Sequence, residues 1–279
     1  MNKLIAAVLL GLGGVASAAG HTMDVRVSNG MAIYAQTVLI SDGQQAQFMG
    51  PASGGKSMIF NGMLNADRVV PGQYQIEYQL ELSGGQGSQA PFIQFQDSVF
   101  LRPRASLVTA ECGSWTVELT LDAPGTLGKK RKQAPAPWDD GGLGNYRVTA
   151  DVARGVVHQR CRIVAQPGSQ SNLIDGFPGN GKINHFIFNT TLSAAQAGSV
   201  KLQYQLEYSP AGMTSLQLLN QETLPLGRKS QTPGQGYKVS LLAEASALRP
   251  AQPKDAPVPA ASPQTPPTAL DNKAVPLLR

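Results

Sequence analysis

Histidine and cysteine, which supply many metal ligands and catalytic dyads, are scarce in this chain. Its 279 residues include three histidines and two cysteines. The sequence contains no H-E-x-x-H motif, no cysteine–histidine spacing of a zinc site and no G-x-S-x-G nucleophile elbow. The carboxylate pairs Asp139/Asp140 and Glu77/Glu81 are better explained as solvated charges of a linker and of a strand. We therefore predict a protein that is not an enzyme, with no catalytic residue, no metal site and no cofactor.

Charge is also sparse, since charged residues make up 15% of the chain and the formal net charge is +5. A nucleic-acid-binding protein normally concentrates lysine and arginine on one face, so we predict no nucleic-acid partner. The single short basic run consists of Lys129, Lys130, Arg131 and Lys132. It is a candidate contact for an anionic surface such as lipid headgroups or an acidic protein. A solvated, protease-sensitive loop is the favoured interpretation of the same run.

Long hydrophobic runs are missing beyond the N-terminus, so we predict no transmembrane segment in the mature protein. The chain starts with the short positive segment Met1–Lys3, followed by the apolar run Leu4–Val15 and the small residues Ala16–Ala18. This order is typical of a secretory signal peptide, and the apolar run is too short to span a bilayer. The pattern predicts a cleaved signal peptide over 1–18 and a periplasmic or extracellular location.

Convincing helical periodicity is absent, and period-two alternation takes its place. In Tyr74–Ser83, YQIEYQLELS, tyrosine, isoleucine and leucine alternate with glutamine and glutamate. This alternation is typical of a half-buried antiparallel strand. Similar segments recur with turn signals about every ten residues, which is the pattern of a β-sandwich. Asn189–Gly198 is a candidate for one or two helical turns.

The segment Tyr74–Ser83 returns 126 residues later as Leu202–Ser209, LQYQLEYS. Three further segments recur in the same order, at offsets between 122 and 128: Met58–Asn61 with His185–Asn189, Gln96–Leu101 with Gln221–Leu226, and Trp115–Thr120 with Tyr237–Leu242. Chance similarity between strands does not explain a conserved order of matches. The chain is therefore predicted to contain two copies of one unit.

The predicted fold class is all-β, with two tandem, duplicated antiparallel β-sandwich (immunoglobulin-like) domains and a disordered Pro-rich C-terminal tail. The first domain covers 19–123, a linker covers 124–145, and the second domain, the internal duplicate, covers 146–248. Proline and alanine dominate 249–279, which cannot bury enough apolar surface to become ordered.

Cys112 and Cys161 are the two cysteines, and an exported chain with two cysteines favours a disulfide between them. The two residues do not occupy equivalent positions in the repeats. A disulfide would therefore connect the end of the first copy to the start of the second.

Gly50–Ser57, GPASGGKS, fits the phosphate-binding loop motif G-x-x-x-x-G-K-S. That loop requires a strand before it and a helix after it, whereas the sequence here continues into another strand pattern. The duplicate keeps Gly181 and Lys182 but has Ile183 where Ser57 stands. A hairpin turn explains the recurring Gly-Lys better than a nucleotide site does.

The function predicted first is that of an exported structural or binding protein, in the periplasm or at the cell surface, that serves a pilus or secretion assembly. The expected partner is a protein of the cell envelope, because exposed edge strands can pair with another chain. The alternative is a carbohydrate-binding adhesin or surface module. This alternative is based on the glutamine residues on the polar faces of the repeated strands, namely Gln75, Gln79, Gln203 and Gln205.

Overall fold

The computed structural model describes residues 20–51, 56–84, 92–124, 144–179, 182–193, 198–210 and 212–250. Those residues form 17 strands and no helix. The predicted signal peptide 1–18, residues 125–143 of the linker and residues 251–279 of the tail lie outside the described residues. The strands are β1 (His21–Ser28), β2 (Ile33–Ile40), β3 (Gln44–Pro51), β4 (Ser57–Ala66), β5 (Tyr74–Ser83), β6 (Phe92–Leu101), β7 (Ala105–Cys112), β8 (Trp115–Leu121), β9 (Tyr146–Arg154), β10 (Val157–Ala165), β11 (Gln170–Gly179), β12 (Lys182–Ser193), β13 (Ser199–Ser209), β14 (Leu216–Pro225), β15 (Lys229–Gly234), β16 (Tyr237–Ala245) and β17 (Arg249–Pro250).

The strands form two antiparallel sheets, which confirms the predicted all-β sandwich architecture. Sheet A has the order β15-β16-β9-β10-β7-β8-β1-β2, and β17 pairs with β7 outside this path. Sheet B has the order β14-β13-β12-β11-β6-β5-β4-β3. Each half of the chain contributes four strands to this path in each sheet, so both sheets run through both halves.

The two halves follow the same path, which confirms the internal duplication. In the first half, the hairpin β1–β2 lies in sheet A, β3 to β6 form a meander in sheet B, and β7–β8 return to sheet A, where β8 pairs with β1. In the second half, β9–β10, β11 to β14 and β15–β16 repeat these steps, and β16 pairs with β9.

Strand register identifies which residues of the two halves are equivalent. Asn61 lies opposite Gln79, and Asn189 lies opposite Gln205, which confirms the match of Met58–Asn61 with His185–Asn189. The predicted match of Gln96 with Gln221 is wrong, because Gln79 lies opposite Gln96 whereas Gln205 lies opposite Leu219. The predicted alignment of β6 with β14 is therefore shifted by two residues. Such a slip keeps every side chain on the same face, so alternation in the sequence does not reveal it.

The core fills the space between the sheets and follows the predicted alternation. Its members from the two repeated strands are all buried: Ile76, Tyr78, Leu80, Leu82, Leu202, Tyr204, Leu206 and Tyr208. Residues of both halves belong to one hydrophobic cluster. Complete burial of one large apolar side chain contributes about 1.5–3 kcal/mol, so these two strands supply a large share of the hydrophobic stabilisation.

The predicted helical turn at Asn189–Gly198 is wrong where the structure describes it. Strand β12 continues to Ser193, and residues 194–197 lie outside the described part. Thr190 and Leu192 are buried while Thr191 is exposed, so the alternation persists to the end of β12. Two successive β-branched threonines also favour a strand.

The halves meet where β10 pairs with β7 and β11 pairs with β6; we call this region the junction. The predicted disulfide between Cys112 and Cys161 is confirmed, and the two cysteines lie opposite each other in the β7–β10 register. Arg249 and Pro250, assigned to the tail from the sequence, instead form β17 and pair with Ser106 and Ala105 of β7.

Candidate functional site

Two histidines, His21 and His158, make ordinary structural contacts. The Nδ1 atom of His21 lies 2.8 Å from the backbone oxygen of Asp122, and the Nε2 atom of His158 lies 3.2 Å from Oδ1 of Asp151. Over the described ranges, no cluster of three or more His, Cys, Asp or Glu residues is arranged to hold a metal ion. No helix long and apolar enough to cross a membrane occurs in the same ranges.

The phosphate-loop motif at Gly50–Ser57 belongs to a β-hairpin. Strand β3 ends at Pro51, which lies opposite Ser57 at the start of β4, while residues 52–55 lie outside the described region. The segment that follows the motif is thus a strand, as the sequence predicted. The Nζ atom of Lys56 lies 5.1 Å from the centroid of the Trp115 ring, a cation–π distance, and desolvation lowers the pKa of this lysine.

A row of amide side chains crosses the outer face of sheet B. The register aligns one residue from each of seven adjacent strands, and all seven carry an amide; we call this set the amide row: Gln47, Asn61, Gln79, Gln96, Asn172, Asn189 and Gln205. Gln79 and Gln205, which the sequence marked as outward-facing, both belong to it. The row crosses the junction without interruption, and Leu219 on β14 ends it.

Hydrogen bonds connect some members of the amide row. Asn172 Nδ2 donates to Gln96 Oε1 across the junction at 3.5 Å, and Asn189 Nδ2 donates to Gln205 Oε1 at 3.4 Å. Because each amide offers two donor hydrogens and an acceptor oxygen, single contacts leave bonding capacity unused. The row therefore presents both hydrogen-bond donors and acceptors without formal charge.

A groove of about 650 Å³ lies over β3 to β6, and three members of the amide row line it: Asn61, Gln79 and Gln96. Its wall is the β10–β11 turn, residues 166–169, together with Gln170 at the start of β11, all from the second half of the chain. Gln75 Nε2 donates to Ser98 Oγ at 2.9 Å, and Ser98 Oγ donates to Gln166 Oε1 at 3.3 Å, which fixes the turn against the sheet. Among the described residues, buried Asn61 Oδ1 and Gln166 Nε2 have no hydrogen-bond partner.

Two buried carboxyl groups lie at the junction, and sequence reasoning missed both. Burial raises the pKa of Asp97 well above its ordinary range, although Ser171 Oγ donates to Asp97 Oδ1 at 2.6 Å and Ser98 N–H donates to the same oxygen at 2.7 Å. Burial raises the pKa of Asp175 to about 7. Alternation is the sequence signal that could have identified Asp97 as buried, because this residue occupies an inward position between buried Phe95 and Val99.

The ends of the two sheets expose apolar side chains. Among the described strands, β2 and β15 end sheet A, and β3 and β14 end sheet B. Leu39 on β2 is 54% exposed, Met49 on β3 is 67% exposed, and Leu219 on β14 is 77% exposed. Free strand edges carry unpaired backbone N–H and C=O groups, so edges that also expose apolar side chains suit pairing with another chain.

The basic run Lys129, Lys130, Arg131 and Lys132 lies outside the described residues, so its contact with an anionic surface stays a prediction.

Comparison with protein-family models, with curated protein sequences and with solved structures gave no match.

Proposed function

We propose that this chain is an exported, non-enzymatic structural protein of the cell envelope that binds a protein partner by strand addition. The main support is the two edges of sheet B, which have no strand partner among the described strands and where Met49 and Leu219 expose apolar surface. Such a role fits a component of a pilus or secretion assembly, in which β-strands of neighbouring proteins complete one another.

Strand addition combines two contributions to affinity. The added strand pairs its backbone with the free edge, and its alternate side chains enter the core side of the sheet. Phe48 on β3 and Leu218 on β14 face this side and are partly buried against the hydrophobic cluster. An incoming strand would complete their burial, and each square ångström of apolar surface removed from water contributes about 25 cal/mol.

Site-specific photocrosslinking in the native envelope tests this proposal. A photoreactive residue at position 219 on β14 is expected to crosslink to a protein, because that position borders the free edge. The same residue at position 156, an exposed valine in the β9–β10 turn, is the matched control. Mass spectrometry of the products identifies the partner peptide. Equal crosslinking at positions 219 and 156, or none at 219, would contradict strand addition.

A second candidate function is binding of a polyhydroxylated ligand such as an oligosaccharide in the groove. Its support is the amide-rich lining and two buried atoms of that lining, Asn61 Oδ1 and Gln166 Nε2, which have no hydrogen-bond partner in the described structure. Neutral hydroxyl groups donate and accept hydrogen bonds, as amides do, so the two surfaces are chemically complementary.

For this second candidate, the substitution Gln79→Ala is expected to weaken binding of a glycan-array ligand by up to about tenfold. The reason is that one neutral hydrogen bond contributes about 0.5–1.5 kcal/mol, and 1.4 kcal/mol corresponds to a factor of ten. Gln203→Ala on β13 removes an exposed amide that does not line the groove and is the matched control. Calorimetric titration gives both affinities. Equal losses in the two variants, or no saturable ligand on the array, would reject the groove as the site.

A further inference from the structure

The junction joins unlike edges of the two repeats. By the order of strands in each half, β10 is equivalent to β2, and β15 is equivalent to β7. Likewise β11 is equivalent to β3, and β14 is equivalent to β6. At the junction, β10 pairs with β7 and β11 pairs with β6. The two repeats are thus related head-to-tail and not by a two-fold axis.

Within the described part of the chain, this arrangement leaves complementary edges without a strand partner at the two ends of the sheets. The first half ends in β2 and β3, which are the equivalents of β10 and β11. The second half ends in β14 and β15, which are the equivalents of β6 and β7. Head-to-tail contacts that do not close into a ring generate open-ended assemblies. We propose that a second copy of this chain docks with its β3 against β14, repeats the junction between molecules and so forms linear polymers.

The junction register predicts the register of the intermolecular contact. At the junction, Leu173 lies opposite Phe95, and the equivalent residues at the two ends are Phe48 and Leu218. The intermolecular contact therefore places one aromatic and one aliphatic side chain opposite each other, as the junction does. On the outer face, the same equivalence places Gln47 opposite Leu219, so one leucine separates the amide row of one molecule from that of the next.

The ends expose what the junction buries. The turns after β2 and β10 are equivalent, because Gly43 N–H donates to Leu64 O at 2.7 Å and Gly168 N–H donates to Leu192 O at 2.6 Å. Leu39 and Val164 each lie four positions before the glycine of their turn, so the two residues are equivalent. Val164 is 1% exposed at the junction, whereas Leu39 is 54% exposed at the end of sheet A.

The intermolecular contact differs from the junction in sheet A. Strand β15 carries Lys229 and Pro233, residue types that discourage edge pairing, so sheet B supplies most of the contact. The junction cysteines have no cysteine counterparts, since register makes Gln36 the equivalent of Cys161 and Gly234 the equivalent of Cys112. The polymer is consequently noncovalent, and its length depends on concentration.

This inference rests on the proposed function and names the partner as a second copy of the chain. Sedimentation velocity of the full mature protein is expected to show a mean mass that rises with concentration and passes beyond the dimer. Phe48→Lys and Leu218→Lys each place a charge on the inward face of one edge, and each variant alone is expected to be monomeric. An equimolar mixture of the two is expected to form dimers and no larger species, because one unblocked edge of each kind remains.

Val156→Lys adds the same charge at an exposed turn and is expected to polymerise like the wild type. Thermal unfolding verifies that both edge variants are folded. A wild type that stays monomeric, or that stops at a dimer, overturns the proposal. If photocrosslinking at position 219 then captures a different protein, strand addition survives and only self-assembly fails. If it captures nothing, both fail.

A disulfide trap tests the register independently of the lysine variants. The double variant Gln47→Cys with Leu219→Cys places two thiols opposite each other in the β3–β14 contact, and oxidation is expected to yield a ladder of covalent oligomers on a non-reducing gel. Peptide mapping is expected to find a bond between positions 47 and 219. The pair Gln44→Cys with Leu219→Cys places one thiol three residues away on β3 and is expected to give no ladder. Equal ladders from both pairs, or none from the first, would overturn the predicted register.

Discussion

Replacing both junction cysteines, as Cys112→Ala with Cys161→Ala, is expected to lower the free energy of unfolding by about 4 kcal/mol. The disulfide links residues separated by 49 positions, and in the chain-entropy model it restricts the unfolded chain by that amount. Both sulfur atoms are buried, and Gln159 Nε2 lies 3.4 Å from Cys112 Sγ. Denaturant unfolding monitored by circular dichroism gives the change as a lower midpoint.

The reduced wild-type protein is the matched control for this variant, because it has the same unfolded-chain freedom with the native side chains present. The two proteins are expected to agree in stability within about 1 kcal/mol, which is the usual scale of losing a small buried group. The m-value is expected to rise, since an unfolded state without the cross-link exposes more surface. A loss below about 1 kcal/mol in both proteins would contradict this prediction. It would show that residual structure restricts the unfolded chain even without the disulfide.

The substitution Asp175→Asn is expected to remove a large part of the pH dependence of stability between about pH 4 and pH 8. Burial raises the pKa of Asp175 to about 7 from 3.8. A carboxyl whose pKa is raised in the folded state contributes its full stabilisation of the fold below the unfolded-state pKa. This contribution is lost as the pH rises through the folded-state pKa. At 1.36 kcal/mol per pKa unit, the wild type loses up to about 4 kcal/mol through this group by pH 8.

Asparagine has nearly the shape of the protonated carboxyl and does not ionise. The variant is therefore expected to match the wild type near pH 4 and to exceed its unfolding free energy by up to about 4 kcal/mol at pH 8. Urea unfolding at several pH values measures the difference. Glu77→Gln, which removes an exposed carboxyl on β5, controls for the change in net charge. A constant difference between Asp175→Asn and the wild type at all pH values would contradict the assignment.

Asp97 contributes a pH dependence of the same sign. Burial raises the pKa of Asp97, and Ser171 from the second half donates to its carboxyl across the junction. The Asp175→Asn protein is consequently expected to keep a residual loss of stability as pH rises. Both carboxyl groups lie where the halves meet, so both contributions to the pH dependence come from the junction.

Much of the fold follows from local patterns in the sequence. The alternation in Tyr74–Ser83 specifies a strand and the face it buries, because side chains of a strand point alternately to opposite sides. The recurrence at Leu202–Ser209 identifies the duplication, and Lys182 shows that the Gly-Lys motif belongs to a hairpin. Each of these inferences depends on residues close in the chain, or on comparison of two such segments.

The candidate surfaces were less accessible from the sequence. Gln79 and Gln205 were recognised as outward-facing, but their alignment with Asn172 depends on the registers of four successive strand pairs. Alternation in the sequence could have identified Asp97 as an acid on the apolar face of β6. Its contact with Ser171 was not predictable in this way, because the two residues lie 74 positions apart. A register shift by two residues preserves the facing of every side chain, so alternation does not select among such registers.

The sequence by itself determined that this chain is a duplicated all-β protein, because period-two alternation and a repeated order of motifs are local properties. It also determined that two cysteines were available to bridge the copies. Only the tertiary structure decided that β10 and β11 of the second copy pair with β7 and β6 of the first. Strand neighbours are chosen by long-range packing and hydrogen bonding, which alternation does not encode. That choice leaves the ends of the molecule complementary to each other.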